Sequence, residues 1–213
     1  MSKFLSTVAA AAFFIAPATA DAQTLTTAIG ANNNQNGIMF DVVTGGSALT
    51  LQAIGANVSG GTYNFEFWTR DGTIVGHDQD ASGWTLRNSF SNVAGAGVNA
   101  ITSFDISDFL VGANSTLGIY LTGTGNFPMN YTNGSHVGDV IASDANLSIL
   151  TGYGKDYQFS STYQPRNFNG SISYATGAAS GAVPEPAAWG MLILGFGTIG
   201  GTMRVRSRKV AFA

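Results

Sequence analysis

Thr62-Tyr-Asn-Phe-Glu-Phe-Trp68 alternates strictly, with Tyr63, Phe65 and Phe67 on one face and Asn64, Glu66 and Trp68 on the other. A side-chain period of two suits a half-buried strand and no helix. Asp71-Gly72 follows at once as a two-residue hairpin signal, and Thr73-Ile-Val75 reads as the start of the return strand. Short runs of aromatic and β-branched residues between turn signals predict further strands at 38–43, 48–53, 84–90, 100–104, 115–122, 147–150 and 171–175. No helical periodicity exceeds a turn or two in this region; Ile106 to Leu110 is the stretch that suits a short helix. The expectation is an all-β body, an antiparallel β-sandwich or jelly roll.

Both ends of the chain follow a different pattern. Lys3, the apolar run from Phe4 to Ala16 and two overlapping A-x-A sites, Ala18-Thr-Ala20 and Ala20-Asp-Ala22, read as a secretory signal peptide over residues 1–22. Its partners are the export machinery and signal peptidase, and cleavage after Ala20 or after Ala22 both fit. At the other end, each proline of Pro184-Glu185-Pro186 fixes its own φ and pushes the preceding residue out of the α region, so the tripeptide is extended. From Ala187 to Met203 no residue is charged, close to the lower limit of about 17 residues for a membrane-spanning helix. Arg204, Arg206, Arg208 and Lys209 follow as a stop held on the cytoplasmic side, which leaves the body outside. The expected division is a signal helix at 1–22, a β body at 23–175, a flexible linker at 176–183, and a tail with a transmembrane helix at 184–213.

The order Pro184-Glu185-Pro186, Trp189, Met191-Leu192, a glycine-broken apolar run and an arginine cluster resembles the PEP-CTERM sorting tail of exported bacterial proteins. The resemblance implies recognition of Pro184, Glu185, Pro186 and Trp189 by an exosortase, a membrane-embedded cysteine transpeptidase that cuts near the Pro-Glu-Pro and releases or transfers the body. It also implies transient anchoring in the inner membrane, then display at the cell surface or secretion in the company of exopolysaccharide and biofilm. Within the tail, Gly195-Phe-Gly197-Thr-Ile-Gly200 spells a dinucleotide fingerprint, but no acidic residue follows Glu185, so the context that fingerprint needs is missing. Gly37-Ile-Met-Phe-Asp41, Tyr131-Thr-Asn-Gly134, Gly152-Tyr-Gly-Lys155 and Pro165 to Ile172 with Tyr174 are similar to a β module of exported bacterial proteins, a likeness that implies no activity.

The body carries four cations, Arg70, Arg87, Lys155 and Arg166, against ten acids from Asp41 to Asp156, a charge of −6. So few cations argue against a nucleic-acid partner. The chain has no cysteine, which removes disulfides, thiolate metal sites and cysteine nucleophiles together. No H-E-x-x-H pair and no twelve-residue calcium loop is present, and no cofactor or metal is expected.

Chemistry in the body has few candidates. His77 precedes Asp78-Gln-Asp80, a set that suits metal ligation or acid–base work only if the three side chains converge; a solvated loop is the plainer reading. His136 sits at the rim of an Asn133-Gly134 turn; Asp105 with Asp108, like Asp78 with Asp80, offers oxygen ligands for calcium, but turn residues are the plainer reading. Glu66, the body's only glutamate, stands beside Trp68 and keeps a glycan hydrolase in view if a second carboxylate lies across a cleft. A carbohydrate-binding module is the stronger alternative: sugar rings stack on aromatic faces, and Trp68, Trp84 and Tyr131 are its candidate residues, with Gly123 to Gly134 as a long loop beside them. Arg166 is expected to pair with a body carboxylate. The leading expectation is a non-catalytic surface or matrix protein associated with exopolysaccharide.

Overall fold

The computed structural model describes residues 22–176, which contain fourteen strands and no helix. Among the described residues no helix is therefore long and apolar enough to cross a membrane. The signal helix expected over 1–22 and the helix expected after Pro186 lie outside the described residues, apart from Ala22.

One sheet has four strands in the order β1 (Ala22–Thr26), β14 (Gly170–Thr176), β4 (Leu49–Asn57) and β7 (Ile101–Val111). The other runs β2 (Asn33–Gln35), β9 (Met129–Asn133), β13 (Thr162–Asn167), β12 (Gly152–Lys155), β3 (Gly37–Thr44), β8 (Thr116–Gly123), β5 (Gly61–Asp71) and β6 (Thr85–Gly95). A short pair, β10 (Val140–Ser143) and β11 (Leu147–Leu150), joins it where β11 lies along the end of β3. All strand pairings are antiparallel, as the sequence predicted.

The two sheets share one apolar core. Phe65 of β5 and Phe90 of β6 meet Phe104 of β7 edge-on, with centroids 4.9 and 5.2 Å apart, and Phe40 stacks on Phe168 at 4.2 Å. The alternation read along β5 holds: Phe65, Phe67 and Thr69 are buried, while Glu66 and Trp68 face the other way. In β3 and β8, by contrast, nearly every residue is buried on both faces. A half-solvated sheet would alternate here, so something covers the outer face.

The cover includes a segment expected to be a strand. After Asp71 the chain does not turn straight back, because β6 begins only at Thr85 and Thr73 to Val75 form no strand. Gly72, at φ +83°, makes the sharp turn that the dipeptide signalled. The following residues are then drawn to β3: the Asp41 carboxylate accepts from Thr73 Oγ1 at 2.6 Å and from the Ile74 amide at 2.9 Å. Tertiary hydrogen bonds and the burial of Ile74 have replaced a hairpin ladder.

Two other local readings change. Ile106 to Leu110 is strand and not helix: β7 runs to Val111, and its register against β4 slips between Asp105 and Phe109, leaving two extra residues on β7. That bulge disturbed the period of two. The long loop expected from Gly123 to Gly134 contains β9, whose apolar members Met129 and Tyr131 are buried in the main core.

Candidate functional site

Strand register places two of the candidate residues, Glu66 and Trp68, on the outer face of the larger sheet. One cross-strand row reads Leu86, Trp68, Tyr120, Met39 and Tyr153 across β6, β5, β8, β3 and β12. Beside it runs a polar row of Glu66, Thr122, Gly37, Lys155 and Thr162. Two loops roof the apolar row: residues 72–84 contribute Ile74 and Trp84, and residues 156–161 contribute Phe159. The Phe159 ring meets those of Tyr120, Trp68 and Trp84 at 5.1, 5.5 and 5.6 Å. Its backbone is left-handed, at φ +55°, a conformation that a bulky residue adopts only when its surroundings impose it.

Hydrogen bonds fasten both loops. Glu66 Oε2 accepts from Trp68 Nε1 at 3.0 Å and from Gln158 Nε2 at 2.8 Å, while its Oε1 accepts from the Tyr157 hydroxyl at 3.2 Å. Lys155 is fully buried; its Nζ donates to Ser160 O and Thr162 Oγ1, both at 2.6 Å, and lies 3.9 Å from Asp78 Oδ2. Burial pulls the Lys155 ammonium below its ordinary pKa, against the opposing charges of Asp78 and Asp156. Burial likewise raises the Asp41 carboxyl above the usual range, against its bonds to Thr73 and Ile74 and the nearby Arg70. Tyr120 is pushed up to about 12, first by burial.

The candidate aromatic residues are therefore packing residues to different degrees. Tyr131 is 2% exposed in the main core, below the Arg166 guanidinium. Trp84 is 8% exposed, with its indole nitrogen donating to His77 O at 2.7 Å. Trp68 is half-buried under Phe159.

His77, Asp78 and Asp80 do not meet at one point. Asp78 turns to Thr162 and Lys155, whereas Asp80 Oδ1 accepts from the Ser82 amide at 2.6 Å. Among the described residues no three His, Asp or Glu side chains gather as they would around a metal ion. His136 pairs with Asp139 at 3.4 Å on the surface. Arg166 stacks over Tyr131 and donates to Pro165 O at 2.9 Å instead of pairing with a carboxylate. Sequence reasoning overlooked Lys155, Asp41 and Phe159. Only the alternation Tyr153-Gly-Lys155, which puts the lysine on the Tyr153 face, hinted at the first of them.

Pro184, Glu185, Pro186, Trp189, Arg204, Arg206, Arg208 and Lys209 lie outside the described residues. Their family is decided by comparison: residues 182–209 match the model of the PEP-CTERM protein-sorting motif. The chain carries a PEP-CTERM sorting tail. The PEP-CTERM motif implies export, exosortase processing and delivery to the cell surface. It begins at Ala182, after the last strand of the β body, and so describes the destination of that body. No curated protein matches the chain.

Proposed function

We propose that the chain is a non-catalytic surface or matrix protein that its PEP-CTERM tail delivers to the outside of the cell, where it associates with exopolysaccharide. The observation that carries the reading is the employment of Glu66. Both oxygens of the body's sole glutamate accept hydrogen bonds, two of them from the 156–161 loop, so the group best suited to acid catalysis serves as a fastener. The separate engagements of Asp78 and Asp80 support the same view. Signal peptide, linker and membrane-spanning tail would bring the body to the surface in turn, held at the inner membrane until the exosortase acts.

The test is fractionation of the producing cells with their extracellular polymer. The wild-type body is expected to sediment with the polymer and to shift to the soluble fraction when the polymer is degraded. A body recovered wholly free of polymer would end the matrix reading.

A further inference from the structure

We propose that the open cleft where β5, β6, β7 and β8 converge at one end of the two sheets is a binding site for a neutral pyranose unit of a polysaccharide. The inference rests on the matrix reading above and adds the place and chemistry of contact. It also moves that contact away from Trp68, Trp84 and Tyr131, whose rings are committed to packing.

The cleft encloses about 470 Å³, within the range of about 300–1,000 Å³ typical of small-ligand sites. A second cavity beside Asn64 and Asn92 encloses only about 180 Å³. Phe109, Val111 and Leu117 supply an apolar floor, and Leu110, 54% exposed, an apolar rim. Arg87 and Asp71 supply a donor and an acceptor, and Ser115 and Thr116 add hydroxyl groups. A pyranose offers apolar C–H faces and hydroxyls that both donate and accept, and this lining answers each. An anionic sugar is disfavoured, since Asp71 shares the cleft and the body carries a charge of −6.

The walls are preorganised. The turn after β7 is pinned by buried Thr44, whose Oγ1 donates to Gly112 O at 2.6 Å and accepts from the Ser115 amide at 2.9 Å. The opposite wall is closed by the Gly72 amide donating to Thr116 O at 2.9 Å. Arg87 is aimed by two contacts: Nε donates to Thr69 Oγ1 at 2.8 Å, and the guanidinium lies 4.8 Å over the Phe109 ring. The other three cations among the described residues are occupied elsewhere, Lys155 in the buried network, Arg70 on Thr73 O and Arg166 on Tyr131. An inward-pointing arginine also discourages edge-to-edge pairing of β6, but that role requires no cavity in front of it.

The protein recovered from outside cells grown on nitrogen-15 is titrated with the methyl glycosides of glucose, galactose and mannose and followed by amide and Arg87 Nε resonances. Single-sugar affinities in the region of about 1 mM are readily followed in this way. Saturable shifts with at least one glycoside are expected at Gly72, Arg87, Gly112, Ser115 and Thr116. Affinity should fall about tenfold in Arg87→Met, which keeps an unbranched stem but removes the guanidinium, and in Thr116→Val, while Tyr157→Phe binds as wild type. Shifts centred on Trp68 and Tyr157 would overturn the proposal, as would the absence of saturable shifts in a protein that still sediments with its polymer; the matrix reading survives either result. Loss of both sugar and polymer binding would end both.

Discussion

Lys155 Nζ lies 3.9 Å from Asp78 Oδ2, joining a β12 residue with no solvent exposure to the loop that roofs its sheet. Thr162 stands between them, donating to Asp78 while accepting from Lys155. Removing the ammonium leaves Ser160 O and the Asp78 carboxylate short of a partner, so Lys155→Ala should cost about 3 kcal/mol in urea unfolding. The sign of the pH effect is separate. The folded-state pKa lies below 10.5, so the unfolded chain binds more protons and wild-type stability gains as pH rises from the folded value towards 10.5. Lys155→Met should lack that gain; an unchanged alkaline limb would show that Lys155 is not desolvated.

Phe159→Ala removes the ring that three aromatic neighbours enclose. The loss should be about 3 kcal/mol, offset little by repacking, since Trp68 and Trp84 are held through their indole nitrogens. Tryptophan emission should shift to the red as water reaches both rings. An unshifted spectrum would mean that residues 156–161 do not cover them.

Alkaline unfolding should follow three tyrosines. Tyr120, Tyr131 and Tyr174 are each pushed up to about 12, first by burial, and Asp144 adds to the shift at Tyr174 through a 2.6 Å hydrogen bond. In the interval from 10.0 to about 12 the folded state keeps protons that the unfolded chain has released, so stability should fall as pH rises through it. Phenolate absorbance recorded beside circular dichroism checks this: the ionisation of Tyr120, Tyr131 and Tyr174 should accompany the loss of strand signal, and full ionisation of all seven tyrosines before that loss would refute it.

Gly152 is a position where no side chain fits. A Cβ there would stand 2.0 Å from Met39 O and 2.8 Å from Phe40 Cα, both backbone atoms of the central strand. Gly152→Ala should therefore destabilise by about 3 kcal/mol, measured by thermal unfolding. Substitution at Gly46, where a Cβ would meet nothing within 4 Å, provides the contrast.

Processing should depend on Glu185. Intact mass of the exported protein is expected to show a wild-type product ending near Pro184 to Pro186, with Glu185→Ala retaining the segment through Lys209. Identical processing in both would show that the glutamate is not read.

Strand identity was legible where an alternation or an apolar, β-branched run marks it, as along β3, β5 and β8. The run from Thr62 to Trp68 announces its inward face through alternation, and the structure buries Phe65 and Phe67 accordingly. Strands β12 and β13 were illegible because Gly152-Tyr-Gly-Lys155 and Thr162 to Asn167 carry a buried lysine, glycines and a proline, which read locally as loop. The hairpin at Asp71-Gly72 was half legible: the turn is there, but the competing acceptor for the next two residues is Asp41, thirty-two and thirty-three positions away.

The amino-acid sequence by itself determined the sorting tail, the cysteine-free acidic body and its all-β character, because these depend on local composition, period and chain order. Only the tertiary structure decided that Glu66 fastens a loop, that Trp84 and Tyr131 are packing residues, and that Arg87 faces a cleft. Those outcomes follow from register and loop path, which bring together groups as far apart as Glu66 and Gln158. A hydrogen bond across such a separation in sequence leaves no periodic trace in either segment.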